Sequence, residues 1–239
     1  MSLPSLLNVA ASQTVIDPYA WYNVVGTVGG VGWVVVYGFA IYHGLKAKTC
    51  AIPAYAVCLN LGWEILTSFV VPVPVPLWLW INRVWLGLDL VIAYTLLRYG
   101  RSRPLGPSLS RYFYPILACS FVLGIVGQLA YIKSFRDALG FEIAFLIDFV
   151  MAVLFVLDHL AAPQRDNATY AISWGRLVGD LGVCIQSYYL LPTMDRMRSF
   201  VFFHFLFAAI LALDVFYVYL VWQARRGAPA AEPATLATT

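Results

Sequence analysis

Apolar residues run along this chain in seven long stretches separated by short polar or proline-rich breaks. At about 20 residues per membrane crossing, they place helices over 24–44, 52–71, 77–97, 113–133, 140–160, 174–192 and 200–222. Pro72-Val73-Pro74-Val75-Pro76 joins the second run to the third. Alternating proline removes backbone donors and forces an extended, tight link, so these two helices are expected to be antiparallel neighbours. The expected fold is all-α: a polytopic, multi-pass integral membrane protein with seven transmembrane helices in a single domain over residues 1–226, followed by a tail at 227–239. The tail is rich in Ala, Pro and Thr, cannot build a packed element, and is expected to be disordered.

Composition supports lipid as the main solvent. Hydrophobic residues make up 62% of the chain and charged ones 11%, where an ordinary soluble domain carries about 25% charged residues. With a mean hydropathy of +0.78, the apolar surface exceeds what one core of this size can hide. No Lys or Arg precedes Lys46, so the basic region of a cleavable signal peptide is missing and the first run reads as a retained helix.

The net charge of +3 sits in short clusters between apolar runs, which argues against a nucleic-acid partner. On one side of the membrane lie Lys46, Lys48, Arg98, Arg101, Arg103, Arg111, Arg165, Arg225 and Arg226; on the other lie Lys133, Arg136, Arg196 and Arg198. This bias favours a cytoplasmic C-terminus. Trp78, Trp80, Trp174 and Trp222 fall at run ends, where an interfacial aromatic belt accounts for them. Cys50, Cys58, Cys119 and Cys184 are scattered, without the paired spacing of a disulfide framework or metal site.

Carboxylates within the runs change the picture most. A charge at bilayer depth costs at least a few kcal/mol, so such a residue faces the bundle interior and is a functional candidate. Asn60, Trp63, Glu64 and Thr67 form one helical stripe in the second run; Trp78, Asn82, Trp85 and Asp89 form another in the third. The fifth run aligns Phe141, Phe145, Asp148, Ala152 and Phe155, and the seventh aligns Phe203, Phe207, Ile210, Asp214 and Tyr217.

Structural roles account for several of these acids. Asp180 lies four residues after Arg176, where an ion pair within one helix neutralises both. Glu142 and Asp158 lie near run ends, within reach of headgroups, while Asp89 and Asp148 divide evenly between bonding neighbouring helices and lining a cavity. Glu64 and Asp214 have no basic residue at i±3 or i±4 and are the sharper candidates. A carboxyl buried without a cation keeps its proton and is a proton donor. Surrounding ring faces stabilise a cation and keep water out. Acid plus aromatic lining is what protonation-initiated cyclisation of a polyene requires.

Here the sequence resembles the small integral-membrane terpene cyclases of fungal meroterpenoid and indole-diterpene pathways and their bacterial relatives, of the pyripyropene and paxilline type. The similarity in length and layout covers nearly the whole chain. Asn60-Leu61-Gly62-Trp63-Glu64 resembles the family's Trp-Glu motif, Asp214 occupies the place of its acid in the last helix, and Trp85 with Asp89 resembles a pattern in its third helix. The resemblance implies proton donation by Glu64 and Asp214 to a terminal epoxide or alkene of a prenylated substrate, with no metal and no cofactor. The DDxxD and DxDD motifs of other terpene cyclases are missing.

The expected function is therefore a membrane-bound terpene cyclase acting on a hydrophobic prenylated aromatic or indole substrate by a carbocation cascade. Glu64, Asp214 and Asp89 are the expected catalytic residues, and Asn60, Trp63, Trp85, Phe207 and Tyr217 the expected substrate-binding ones. At about 1.5 Å per residue, Glu64 lies roughly 10 Å and Asp214 roughly 20 Å from the non-cytoplasmic end, so the two need not touch. Which of them protonates, and whether Tyr217, His204 or a carboxylate removes the final proton, stays open.

The main rival is a small transporter or proton-coupled carrier with acids near the midplane. A similarity between Leu86-Gly87-Leu88-Asp89-Leu90 with Tyr94 and Leu211-Ala212-Leu213-Asp214-Val215 with Tyr219 would suit it, as a three-plus-one-plus-three repeat. Against it, large aromatics flank the acids and Pro163-Gln164 sits in a loop. A retinal photoreceptor is excluded because the last run has no lysine for a Schiff base.

Overall fold

The structure, a computed structural model, describes residues 16–71, 73, 75–102, 110–137, 139–162, 170–193 and 200–227. Among these lie seven long helices: α1 (Trp21–Ala47), α2 (Ala54–Phe69), α3 (Pro76–Tyr99), α4 (Phe113–Phe135), α5 (Phe141–Ala161), α6 (Tyr170–Leu190) and α7 (Phe200–Gly227). No strand occurs among the described residues. Helices suit lipid because each one satisfies its own backbone donors and acceptors. The tail beyond Gly227, Pro72, Pro74, Pro163-Gln164, Arg103, Arg165, Arg196 and Arg198 lie outside the described residues.

Five helices, α1, α3, α4, α5 and α7, are long and apolar enough to cross a membrane. The other two depart from that pattern for separate reasons. Pro53 occupies the position before α2, which keeps α2 to 16 residues, about 24 Å at 1.5 Å per residue and shorter than the expected 52–71. Helix α6 carries the buried pair Arg176 and Asp180, and it begins at Tyr170, ahead of the expected 174. Pro76 opens α3 at its first turn, where its missing N–H costs nothing. Helix α7 runs past the expected 222 to Gly227, with Arg225 and Arg226 in the last turn, where cations suit the helix dipole.

Packing falls into two groups. Helix α3 lies against α1 and α2, α7 lies against α5 and α6, and α1 meets α6 as α5 meets α2. These are the neighbour relations that a three-plus-one-plus-three arrangement requires, with α4 as the odd helix. α4 is the least buried span, packed on α2 and touching α5. The closest approach joins α1 to α6: a Cβ on Gly182 would lie 2.7 Å from Gly29 Cα, and one on Gly29 would lie 2.7 Å from Gly179 O. Only glycine lets the two backbones come this near, the small-residue packing that lipid-embedded helices favour.

The link from α4 to α5 shows how a buried acid organises a turn. Arg136 takes a left-handed conformation with φ of 57°, and Asp137 Oδ2 then accepts the Ile143 N–H at 2.9 Å. This satisfies an orphan donor in the first turn of α5. Burial pushes the Asp137 carboxyl up to about 6, above its ordinary 3.8. The folded state thus holds this proton more tightly than the unfolded chain. Its contribution is complete below the unfolded value and is lost as pH rises through the folded one. Detergent-solubilised protein should lose on the order of 1–3 kcal/mol of stability over that window. Asp137→Asn, whose amide oxygen still accepts the Ile143 N–H, should flatten the dependence; an unchanged slope of thermal midpoint against pH would refute the assignment.

Candidate active site

The bundle encloses a cavity of about 220 Å³ whose walls come from α1, α2, α3, α5 and α6. Aromatic rings supply much of its surface: Trp33 and Tyr37 from α1, Trp63 from α2, Trp78 and Trp85 from α3, and Phe141 and Phe145 from α5. Its titratable side chains include Glu64, Asp148 and Asp180.

Glu64 lines this cavity and is only 2% exposed. Its Oε2 is buried and has no hydrogen-bond partner. Beside it, one helical turn earlier, Asn60 donates from Nδ2 to Tyr37 Oη at 2.6 Å and to Asp89 Oδ2 at 2.7 Å. Asp89 is buried behind Asn60 and is not part of the cavity lining, so the structure gives it the role of fixing the Asn60 amide. The indole Nε1 of Trp85 is likewise buried without a partner on a residue that lines the cavity.

Trp63 is set by a constraint outside its own helix. Gly140, just before α5, has φ of +74°, and a Cβ placed there would run into the Trp63 ring. Left-handed backbone and contact with the indole both demand glycine, so this turn and the cavity wall are built together.

Next to the cavity-lining Asp148 and Asp180, Arg176 lies fully buried among three acids. Its Nε donates to Asp214 Oδ1 at 3.0 Å, while Nη2 reaches Asp214 Oδ1 at 2.9 Å, Asp180 Oδ2 at 3.1 Å and Asp148 Oδ1 at 3.5 Å. The guanidinium also lies 4.6 Å from the Phe155 ring centre and 5.1 Å from that of Trp33, and Trp33 Nε1 donates to Asp180 Oδ1 at 2.7 Å. One guanidinium balances one carboxylate.

This geometry divides the residues singled out from the sequence. Glu64, Asn60, Trp63 and Trp85 meet at one cavity, whereas Asp214, Phe207 and Tyr217 are not in its lining. Asp214 has no basic residue at i±3 or i±4, but in the fold Arg176 of α6 supplies a cation, which corrects the picture of an unneutralised acid. Phe207 packs against Phe145 and Phe203, and Tyr217 against Phe155 and His159. Of these contacts, Phe145 is the one that lines the cavity. The pair Arg176–Asp180 forms as spacing suggested, yet it is shared with α5 and α7 and reaches the cavity through Asp180. That Asp148 and Asp180 share a cation and line the cavity follows only from the meeting of α5 and α6.

The two acid centres also echo each other. In α2, Asn60 precedes Glu64 by four and bonds Asp89 of α3; in α6, Arg176 precedes Asp180 by four and bonds Asp214 of α7. The correspondence follows the repeated neighbour relations of the helices.

Comparison with known proteins bears on the same region. The model of the family described as Pyr4-like transmembrane terpene cyclases matches residues 16–227. The terpene cyclase atmB of Aspergillus flavus is 23% identical over 171 residues, 70% of this chain and 70% of that protein. The terpene cyclase pyr4 of Aspergillus fumigatus is 23% identical over 206 residues, 82% of this chain and 84% of that protein. The terpene cyclase prhH of Penicillium brasilianum is 24% identical over 225 residues, 88% of this chain and 89% of that protein. No solved structure matches the chain. The carrier reading draws no support from these relatives.

Proposed function

Because the chain belongs to the Pyr4-like transmembrane terpene cyclases, we propose that it cyclises a prenylated aromatic or indole substrate by protonation, with Glu64 as the acid. The observation that carries this reading is the buried Glu64 Oε2, unpartnered on a residue that lines an aromatic cavity. Glu64 gives its proton to the terminal alkene carbon or epoxide oxygen of the prenyl chain. The resulting tertiary cation is attacked by the π electrons of the next double bond, closing a ring and passing the charge along the chain.

Chain residues supply the rest. Trp33, Trp63, Trp85 and Phe145 present rings to the migrating cation, a contact worth about 2 kcal/mol when desolvated. Asn60, held by Asp89, and the free Trp85 N–H are the polar groups that position the substrate. Asp214 acts through Arg176, which it anchors at the far wall. Phe207 and Tyr217 hold that wall in place. A guanidinium already fills the centre of the acid cluster, which favours a proton over a metal as the initiator. Loss of a proton at the end makes the overall change an isomerisation.

The test is a membrane assay with prenylated and epoxyprenylated aromatic substrates, reading cyclic product for wild type and Glu64→Gln. Recovery of every substrate unchanged from wild-type membranes would refute the reading.

The bias of Lys and Arg toward one side supports a cytoplasmic C-terminus. A reporter fused after Thr239 should be protected from an impermeant label in sealed cells; labelling there would reverse the orientation.

A further inference from the structure

We propose that Asp148, held beside Arg176 at the α5–α6 wall, is the base that takes the last proton from the cyclised cation, so that the cascade begins at Glu64 and ends at Asp148. This assignment rests on Glu64 as the initiating acid.

The two acids differ in the way a directional reaction needs. Glu64 lines the aromatic cavity and has a carboxyl oxygen with no partner, which leaves it free to meet a substrate. Asp148 Oδ1 sits 3.5 Å from a fully buried guanidinium, a cation placed to offset its charge. It is also the most open acid of its cluster, with its side chain 19% exposed where those of Asp180 and Asp214 are at 1%.

The other acids are engaged or screened. Asp180 accepts from both Trp33 and Arg176. Asp214 lies outside the cavity lining, and Asp89 lies behind Asn60. Tyr217, like Asp214, is not in the cavity lining, so of the three acids around Arg176 Asp148 is the lining carboxylate with the most open side chain.

Atoms balance without a further reagent. The proton that leaves Glu64 forms the new C–H bond, or the hydroxyl when an epoxide opens. At the end, the carbon next to the final cation breaks its C–H bond; the electron pair becomes a double bond and the proton goes to Asp148. As product leaves, Asp148 releases that proton to water and Glu64 takes one up.

The experiment compares wild type, Asp148→Asn and Asp148→Glu in membranes on one cyclised substrate, measuring both substrate consumed and the ratio of products. Asp148→Asn should still consume substrate while the share of the wild-type product falls at least about tenfold, replaced by alkene isomers or water-trapped alcohols. Asp148→Glu should restore deprotonation with a shifted alkene position. A wild-type product ratio in both variants overturns the assignment, and so does loss of all consumption in an Asp148→Asn protein that elutes as a folded monodisperse species. Should Asp148→Asn fail to fold, the Asp148→Glu product ratio decides alone. Failure of wild type to convert any prenylated substrate would instead overturn the reading of Glu64 beneath this one.

Discussion

Replacing Glu64 with Gln should lower turnover by about 10²–10⁴-fold, the usual loss when a positioned acid is removed, while leaving the protein as stable as wild type. The side chain keeps its shape, and Glu64 Oε2 has no hydrogen bond to lose. Stability is thus expected to be neutral or slightly improved, since a buried acid gives way to a neutral amide. Cyclic product formed per unit of solubilised protein measures the first effect, and the thermal midpoint in detergent measures the second. Asp is a useful companion substitution: it keeps the acid but withdraws it by one methylene, so it should recover part of the rate. Gln retaining more than about a tenth of wild-type turnover would place the initiating proton elsewhere, because no general acid of ordinary effectiveness is so dispensable.

Removing Arg176 should be the most damaging substitution for the fold. Arg176→Met takes away the cation facing Asp148, Asp180 and Asp214, all buried or partly so, and loss of one partner of a buried ion pair costs about 3–5 kcal/mol. A lower thermal midpoint and loss of turnover should therefore appear together. Arg176→Lys keeps the charge but not the fork that reaches three carboxyls, and should fall between. Asp214→Asn removes one acid of three and should lower both midpoint and turnover by a smaller amount, because Arg176 still meets Asp180 and Asp148. Full stability of Asp214→Asn combined with complete loss of turnover would mean that Asp214 touches the substrate itself, against its position outside the cavity lining.

The helices were legible because lipid imposes a simple demand: a crossing segment must be long, apolar and internally hydrogen-bonded. Five of the seven satisfy it by composition alone. The edges were harder to read where local chemistry overrode length. Pro53 delays the start of α2, and Arg225 and Arg226 extend α7 instead of ending it because cations are welcome in a last turn. The stripe of Asn60, Trp63 and Glu64 was equally legible, since residues at i, i+3 and i+4 share a helix face whatever the helix packs on.

What lay beyond the sequence concerns partners across helices. Spacing within α6 predicted that Arg176 meets Asp180, but nothing local shows that the same guanidinium reaches α5 and α7. Nor does the φ of Gly140 or its contact with Trp63 follow from the neighbouring residues. Sequence by itself determined the solvent, the helical class and one acid on an aromatic face, because each of these is carried by composition or by periodicity within a single segment, and it pointed to the family through the resemblance of short motifs such as Trp63-Glu64. Tertiary structure alone decided which acids share a cation and which face the cavity. Ion pairing and burial are set by how helices far apart in sequence approach, and that approach depends on glycines such as Gly29 and Gly182, whose effect is visible only when both backbones are in place.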